Sequence, residues 1–295
     1  MTLDMHQQAV LDPISKTAKY MFYSIRDHEK ISEKLYILKR LIDGKSALLG
    51  IGYDIVDSLG KDVPGLEKFP DFNSKHVNIP ETQYSLWVWL KDEDAGKNFH
   101  QARVIHELLK DAFYLEEMVD AFSYCDRTDL SGFEDGTENP KGEDAKDAAI
   151  VADPLKGLHG SSFVAVQKWQ HDFKWLNRVS QAEKEETIGR SLDDNHEFED
   201  AISSAHVRRT AQEIFDPEAF MFRNSMPWSE SFEGGLMFVA FGKSFYSFDA
   251  QMRKMVGQDD DIVDGIFKFS RPLTGSYFWC PPFTLGRLDL SLLSI

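Results

Sequence analysis

Asp129-Leu-Ser-Gly-Phe-Glu-Asp-Gly-Thr-Glu-Asn-Pro140 sets two glycines, a proline and an asparagine among acids. Glycine tolerates positive φ, proline restricts φ and asparagine bonds its own backbone, so the stretch reads as a rigid turn rather than a helix or strand. Composition alone makes it an ordinary turn, since Asp135-Gly136 is a common turn dipeptide. It also sits between two stretches that share one order of elements, and the fold is read outward from it.

Before the turn, residues 20–25 read as a strand. Apolar positions Leu35, Leu38 and Ile42 recur at helical spacing after Ile31, and Asp43-Gly44 stops that helix. Residues 46–52 form a second strand. A stretch holding Pro64, Pro70 and Pro80 is loop, and Ser85-Leu-Trp-Val-Trp-Leu90 is a buried strand by its continuous apolar character. A helix over 98–110 and a strand over 113–122 complete the order β-α-β-β-α-β, the ferredoxin-like arrangement.

After the turn the order repeats: a strand at 162–169, a largely helical 173–205, strands at 219–226 and 235–241, a helix at 247–256 and a last strand at 266–269. Gly96-Lys-Asn-Phe99 and Gly242-Lys-Ser-Phe245 each follow a strand and open a helix, a local echo of duplication. The expected class is α+β: two ferredoxin-like units packed together, as in a dimeric α+β barrel. The expected division is residues 1–145, including the turn, and 146–295. The acidic run 183–200 reads as the solvated face of a helix.

The 295-residue chain has a net charge of -16, which disfavours nucleic acid and anionic membranes as partners. Its longest apolar run, Leu236-Met-Phe-Val-Ala-Phe241, is far short of the ~20 residues that span a bilayer. Residues 1–19 carry Asp4, His6 and Asp12 without an apolar segment, unlike a signal peptide. Only Cys125 and Cys280 are present, which suits a reducing compartment. The chain is therefore expected in the cytoplasm.

Gly132-Phe-Glu-Asp135-Gly136, followed by Thr-Glu-Asn139-Pro140, resembles the signature loop of the dye-decolourising peroxidases, most of all their compact bacterial (class B) members. These are haem enzymes, and the resemblance runs from about residue 20 to residue 282. It implies that Asp135 projects over the haem. It also implies a haem b peroxidase that uses hydrogen peroxide to oxidise dyes, phenolics or other bulky reductants through an oxoferryl intermediate. A homo-oligomer and an encapsulating shell partner are further expectations. With no Cys-x-x-Cys-His in the sequence, the haem is held without covalent attachment, one iron per chain.

Nine histidines compete for the axial position, and residue type alone does not choose among them. Ser203-Ser-Ala-His-Val-Arg-Arg-Thr210 resembles the family's proximal-ligand segment, which implies that His206 binds the iron and, by its position, ends a helix. Arg208 and Arg209 beside it suit the haem propionates, because guanidinium forks match carboxylates; the choice between them stays open. Arg223, in Met221-Phe-Arg-Asn-Ser-Met-Pro-Trp228, is costly inside an apolar strand unless paired. Its segment resembles the family's distal-arginine motif, although Ser225 stands where many members have Asn. The resemblance points to Asp264 as the acceptor behind the ligand histidine, with Asp259, Asp260 and Asp261 as neighbouring competitors. Two other classes compete: a haem-binding or haem-handling protein with little turnover, and a structural α+β protein without haem.

Overall fold

In the computed structural model of the chain, which describes residues 5–125 and 127–295 and so leaves Asp4 outside the described residues, strand β1 (Thr17–Ile25) is buried through six consecutive positions. Burial on both faces explains why the strands read as apolar runs rather than as alternations. The first half continues through α1 (Ile31–Leu41), β2 (Ala47–Ile51), α2 (Tyr53–Ser58), β3 (Leu86–Asp92), α3 (Ala95–Leu109) and β4 (Phe113–Phe122). After the turn come α4 (Glu143–Ala149), β5 (Ser162–His171), α5 (Phe173–Arg178), α6 (Gln181–Ile188) and α7 (His206–Thr210). The chain then runs through β6 (Phe222–Arg223), β7 (Met226–Glu230), β8 (Glu233–Gly242), α8 (Tyr246–Met255), β9 (Ser270–Pro272) and β10 (Ser276–Cys280).

The strands pair antiparallel in the order β8-β7-β4-β1-β3-β2-β10-β5, and β5 returns to β8 over Phe163–Gln170, closing a barrel. Short β6 and β9 lie beside it, on β8 and β5. Alternate side chains face opposite ways. Tyr20, Phe22, Trp87, Trp89, Val164, Val166, Phe241 and Phe278 fill one core, inside the barrel. The intervening Met21, Tyr23, Val88, Phe163, Tyr277 and Trp279 pack outward against Leu35 and Leu38 of α1, Ile105 and Leu109 of α3, and Phe248 and Met252 of α8. A third, smaller cluster around Phe133, Trp175, Ile188 and Phe269 anchors the turn that divides the halves.

The α+β class and the barrel-like packing hold, with several corrections in the second half. Residues 266–269 are not the last strand: Gly265–Lys268 is a 3-10 helix whose N-cap Asp264 accepts from Ile266 N–H. The last strand of the barrel is β10, ten residues later, and a short antiparallel pair, Phe283–Thr284 with Arg287–Leu288, follows it outside the barrel. Between α6 and α7 the chain is turn and loop rather than helix, pinned by an isolated bridge between Arg190 and Glu197. The acidic run is thus mostly loop. His206 opens a helix instead of ending one, because the preceding Ala205 is extended (φ -60°, ψ 138°).

Candidate active site

The turn is built by its own backbone. Asp129 N–H donates to Phe133 O at 2.7 Å, Gly132 N–H to Asp129 O at 2.9 Å, and Asn139 N–H to Gly136 O at 3.1 Å. Gly136 has φ +75°, and a Cβ there would meet Arg127 Nη2 at 3.0 Å and Asn139 Nδ2 at 3.1 Å, so a side chain would be both strained and crowded. Asn139 then ties the turn to β6. Its Nδ2 donates to Arg223 O at 2.7 Å and its Oδ1 accepts from Arg223 N–H at 2.9 Å. Asp135 and Arg223 are thereby brought to the wall of one cavity although they lie far apart in sequence.

His206 reaches that cavity from the start of α7. Its Nδ1 lies 2.9 Å from Oδ2 of Asp264, and Oδ1 of the same carboxylate accepts from Ile266 N–H at 2.8 Å. An ionised carboxylate has no proton to give, so Nδ1 donates and Nε2 keeps its lone pair for a ligand. The two segments touch through Gly265, whose N–H donates to Ser204 O at 2.7 Å. A Cβ on Gly265 would meet Thr187 O at 2.7 Å, so the close approach needs glycine.

The cavity adjoins an outer pocket that shares Asp135, His206 and Arg223 with it. Leu236, Phe238, Phe248, Met252, Met255 and Ile266 supply apolar walls. A concave site lined mostly by apolar groups with a few polar ones is the usual form of a ligand or cofactor pocket. Asp135 Oδ2 and Arg223 Nε are buried without a hydrogen-bond partner. Orphaned polar atoms of this kind are costly unless a ligand satisfies them. The histidine with a free Nε2, the apolar walls and the two orphaned atoms together fit a haem.

Other expected residues lie elsewhere. Arg209 is buried, but its guanidinium grips the Asp260 carboxylate through two bonds of 2.7 Å and also donates to Lys254 O. Arg208 is exposed and donates to Glu199 O. Neither lines the cavity or the outer pocket, so neither is placed for propionates; α7 carries both away from His206. Ser225 is also absent from both linings: its Oγ accepts from Val239 N–H at 3.3 Å on β8.

The cavity holds groups that the motifs did not single out. Arg190, in the outer pocket, donates to Glu138 Oε1 at 2.6 Å and pairs with Glu197. It brings a second guanidinium, beside that of Arg223, to the outer pocket, and the lone Arg inside the acidic run was its signal. Asp129 and His171 line the inner cavity, with Nε2 3.0 Å from the carboxylate, and His171 Nδ1 lies 2.8 Å from Ser270 Oγ. Burial pushes the Asp129 carboxyl up, but hydrogen bonds from His171 and Ser131 outweigh it and hold the group below its ordinary value.

The sequence model of the Dyp-type peroxidase C-terminal family matches residues 126–285. A dye-decolorizing peroxidase of Mycobacterium tuberculosis is 30% identical over 252 residues, covering 83% of this chain and 75% of that protein. One from Mycolicibacterium paratuberculosis is 29% identical over 302 residues, covering 96% of this chain and 84% of that protein. The solved dye-decolorizing protein from V. cholerae superposes with a TM-score of 0.85 at 25% identity, over 97% of this chain and 98% of that one. A variant of the Rhodococcus jostii DypB protein, solved in complex with heme, gives a TM-score of 0.82 at 27% identity, over 92% of this chain and 95% of that one.

Proposed function

The chain belongs to the Dyp-type peroxidase family, and from that premise we propose that it holds one non-covalent haem b in the cavity between the turn, α7 and α8, and uses it to oxidise bulky organic reductants with hydrogen peroxide. When bound, the haem supplies the redox chemistry; the chain supplies ligation, orientation and proton handling. His206 Nε2 offers the iron its lone pair. Asp264, ionised and held by Ile266 N–H, fixes the ring and raises its basicity through Nδ1.

Asp135 and Arg223 act on peroxide. The carboxylate takes a proton at Oδ2 from one peroxide oxygen and returns it to the other, so that the second can leave as water. The Arg223 guanidinium steadies the negative charge that develops on the leaving oxygen. One observation carries this role over mere haem storage: Asp135 Oδ2 and Arg223 Nε are both buried without a protein partner in the cavity that His206 lines. A proton-carrying carboxylate and a cationic donor on one wall suit peroxide cleavage, whereas holding haem by itself requires neither.

The visible spectrum of the purified, haem-loaded protein, taken before and after hydrogen peroxide, tests this. A Soret band that shifts with peroxide and returns on adding a dye or phenol is the expected result. A Soret band indifferent to peroxide favours haem handling instead, and no Soret band under haem loading removes the haem reading altogether.

A further inference from the structure

Three tyrosines are fully buried, Tyr20, Tyr23 and Tyr277, and of these only Tyr277 gives its phenol proton to a carboxylate: Oη donates to Asp249 Oδ1. Its ring stacks on Phe245 at 3.8 Å and 5°, and meets the edge of Phe248 with centroids 5.7 Å apart. Phe248 lines the cavity assigned to the cofactor. Consecutive residues of α8 therefore bracket the path: Phe248 lies between the cavity and the phenol, and Asp249 receives the phenol's proton.

Removing an electron from a neutral phenol leaves a strongly acidic cation radical. In an apolar interior that charge is prohibitive unless the proton leaves at the same time to a base already in contact. Tyr23 has no such base, since its hydroxyl is buried without a partner. Tyr277 has one, and Asp249 is only partly buried, so it can exchange the proton with solvent.

We propose that Tyr277 is a redox-active tyrosine that holds one of the two oxidising equivalents of peroxide as a neutral radical, with Asp249 as its proton acceptor; this rests on the peroxidase reading above. One electron passes from the Tyr277 ring to the peroxide-oxidised cofactor, which is reduced by one. The phenolic O–H bond breaks and an O–H bond forms on Asp249, so the pair, which began with the one negative charge of the carboxylate, ends neutral and no cation radical forms on the ring. A reductant then returns one electron to the ring while Asp249 returns the proton to the phenolate oxygen. Burial raises the Asp249 carboxyl to about 6, with the Tyr277 bond opposing, Glu67 adding and Arg253 opposing, so near neutral pH it is ionised yet more basic than an ordinary carboxylate.

Freeze-quenched electron paramagnetic resonance after one equivalent of peroxide, without reductant, decides it, with the visible spectrum recorded in parallel. The expected result is a tyrosyl signal that narrows when the protein carries ring-deuterated tyrosine, is lost in Tyr277→Phe and is diminished in Asp249→Asn. Asp249→Asn keeps an acceptor for the phenol hydrogen bond but cannot take its proton, so it guards against a packing effect of the first variant. A cofactor spectrum that responds to peroxide with no tyrosyl signal, or with an undiminished signal in either variant, overturns this inference alone. A spectrum that does not respond overturns the peroxidase reading and this inference with it.

Discussion

Asn139 and the backbone of Arg223 hydrogen-bond in both directions, Nδ2 to Arg223 O at 2.7 Å and Arg223 N–H to Oδ1 at 2.9 Å, so that an asparagine side chain continues the sheet as a strand would. This is what fixes the turn that carries Asp135 against the strand that carries Arg223. Asn139→Ala leaves both backbone groups unpaired, at a cost of about 1–3 kcal/mol, and slows the reaction with peroxide by up to ~10²-fold through misplacement. Denaturant melting and stopped-flow mixing measure the two effects. Asn139→Asp still accepts from Arg223 N–H and should fall between; an alanine variant with wild-type peroxide kinetics would show that the turn is held by other contacts.

Loss of His206 removes the only histidine in the cavity whose Nδ1 is held by Asp264. His206→Ala should therefore bind haem weakly, with the Soret absorbance per chain much reduced after gel filtration. Full haem occupancy and an unchanged Soret maximum would place the ligand elsewhere.

Asp264 touches both His206 and Ile266 N–H. Asp264→Asn keeps the bond length but removes the charge that favours the ferric state, so the Fe(III)/Fe(II) potential should rise. Redox titration of the loaded protein reads this directly, and an unmoved potential would mean that Asp264 does not act on the iron through the imidazole.

Asp135 and Arg223 should separate kinetically. A proton-transferring side chain contributes ~10²–10⁴-fold, and a donor aimed at developing charge about 10²–10³-fold. The guanidinium charge is permanent, whereas water can stand in for a carboxylate as proton carrier. Arg223→Leu is therefore expected to react with peroxide more slowly than Asp135→Asn in stopped-flow experiments. The reverse order would show that the carboxylate moves the proton itself.

Asp129 makes stability depend on acid. Its carboxyl is held below the ordinary 3.8 despite burial, by His171 and Ser131. A depressed carboxyl stabilises the fold while pH stays above the unfolded value, and that contribution is lost as pH falls through the lower folded value. Urea midpoints measured from about pH 5 down to about pH 2 should thus fall in the wild type and lose part of that slope in Asp129→Asn. Equal slopes would show that other carboxylates dominate acid unfolding.

Most of the barrel was legible in the sequence because its strands are local events. The strand at residues 113–122 matches β4, and both glycine-phenylalanine echoes lie where a strand gives way to a helix. The turn at Gly132 and Gly136 was legible too, since both glycines take positive φ. In each case the determining physics acts between residues a few positions apart: φ preference, apolar period and capping.

What only the tertiary structure decided involves partners distant in the chain. The segment 266–269 has the composition of a strand, but Asp264 caps it into a 3-10 turn so that its carboxylate can also face His206, 58 positions earlier. Of the arginines near His206, Arg209 is drawn to Asp260 and Arg208 faces out, while Arg190, from the loop after α6, reaches the outer pocket. A guanidinium sits at the end of a long flexible stem, so its direction is set by whichever carboxylate or carbonyl the fold brings within reach, and no local pattern encodes that. The same holds for Tyr277 and Asp249: each reads alone as an ordinary strand tyrosine and helix aspartate, and only the packing of α8 on β10 joins them beside the cavity.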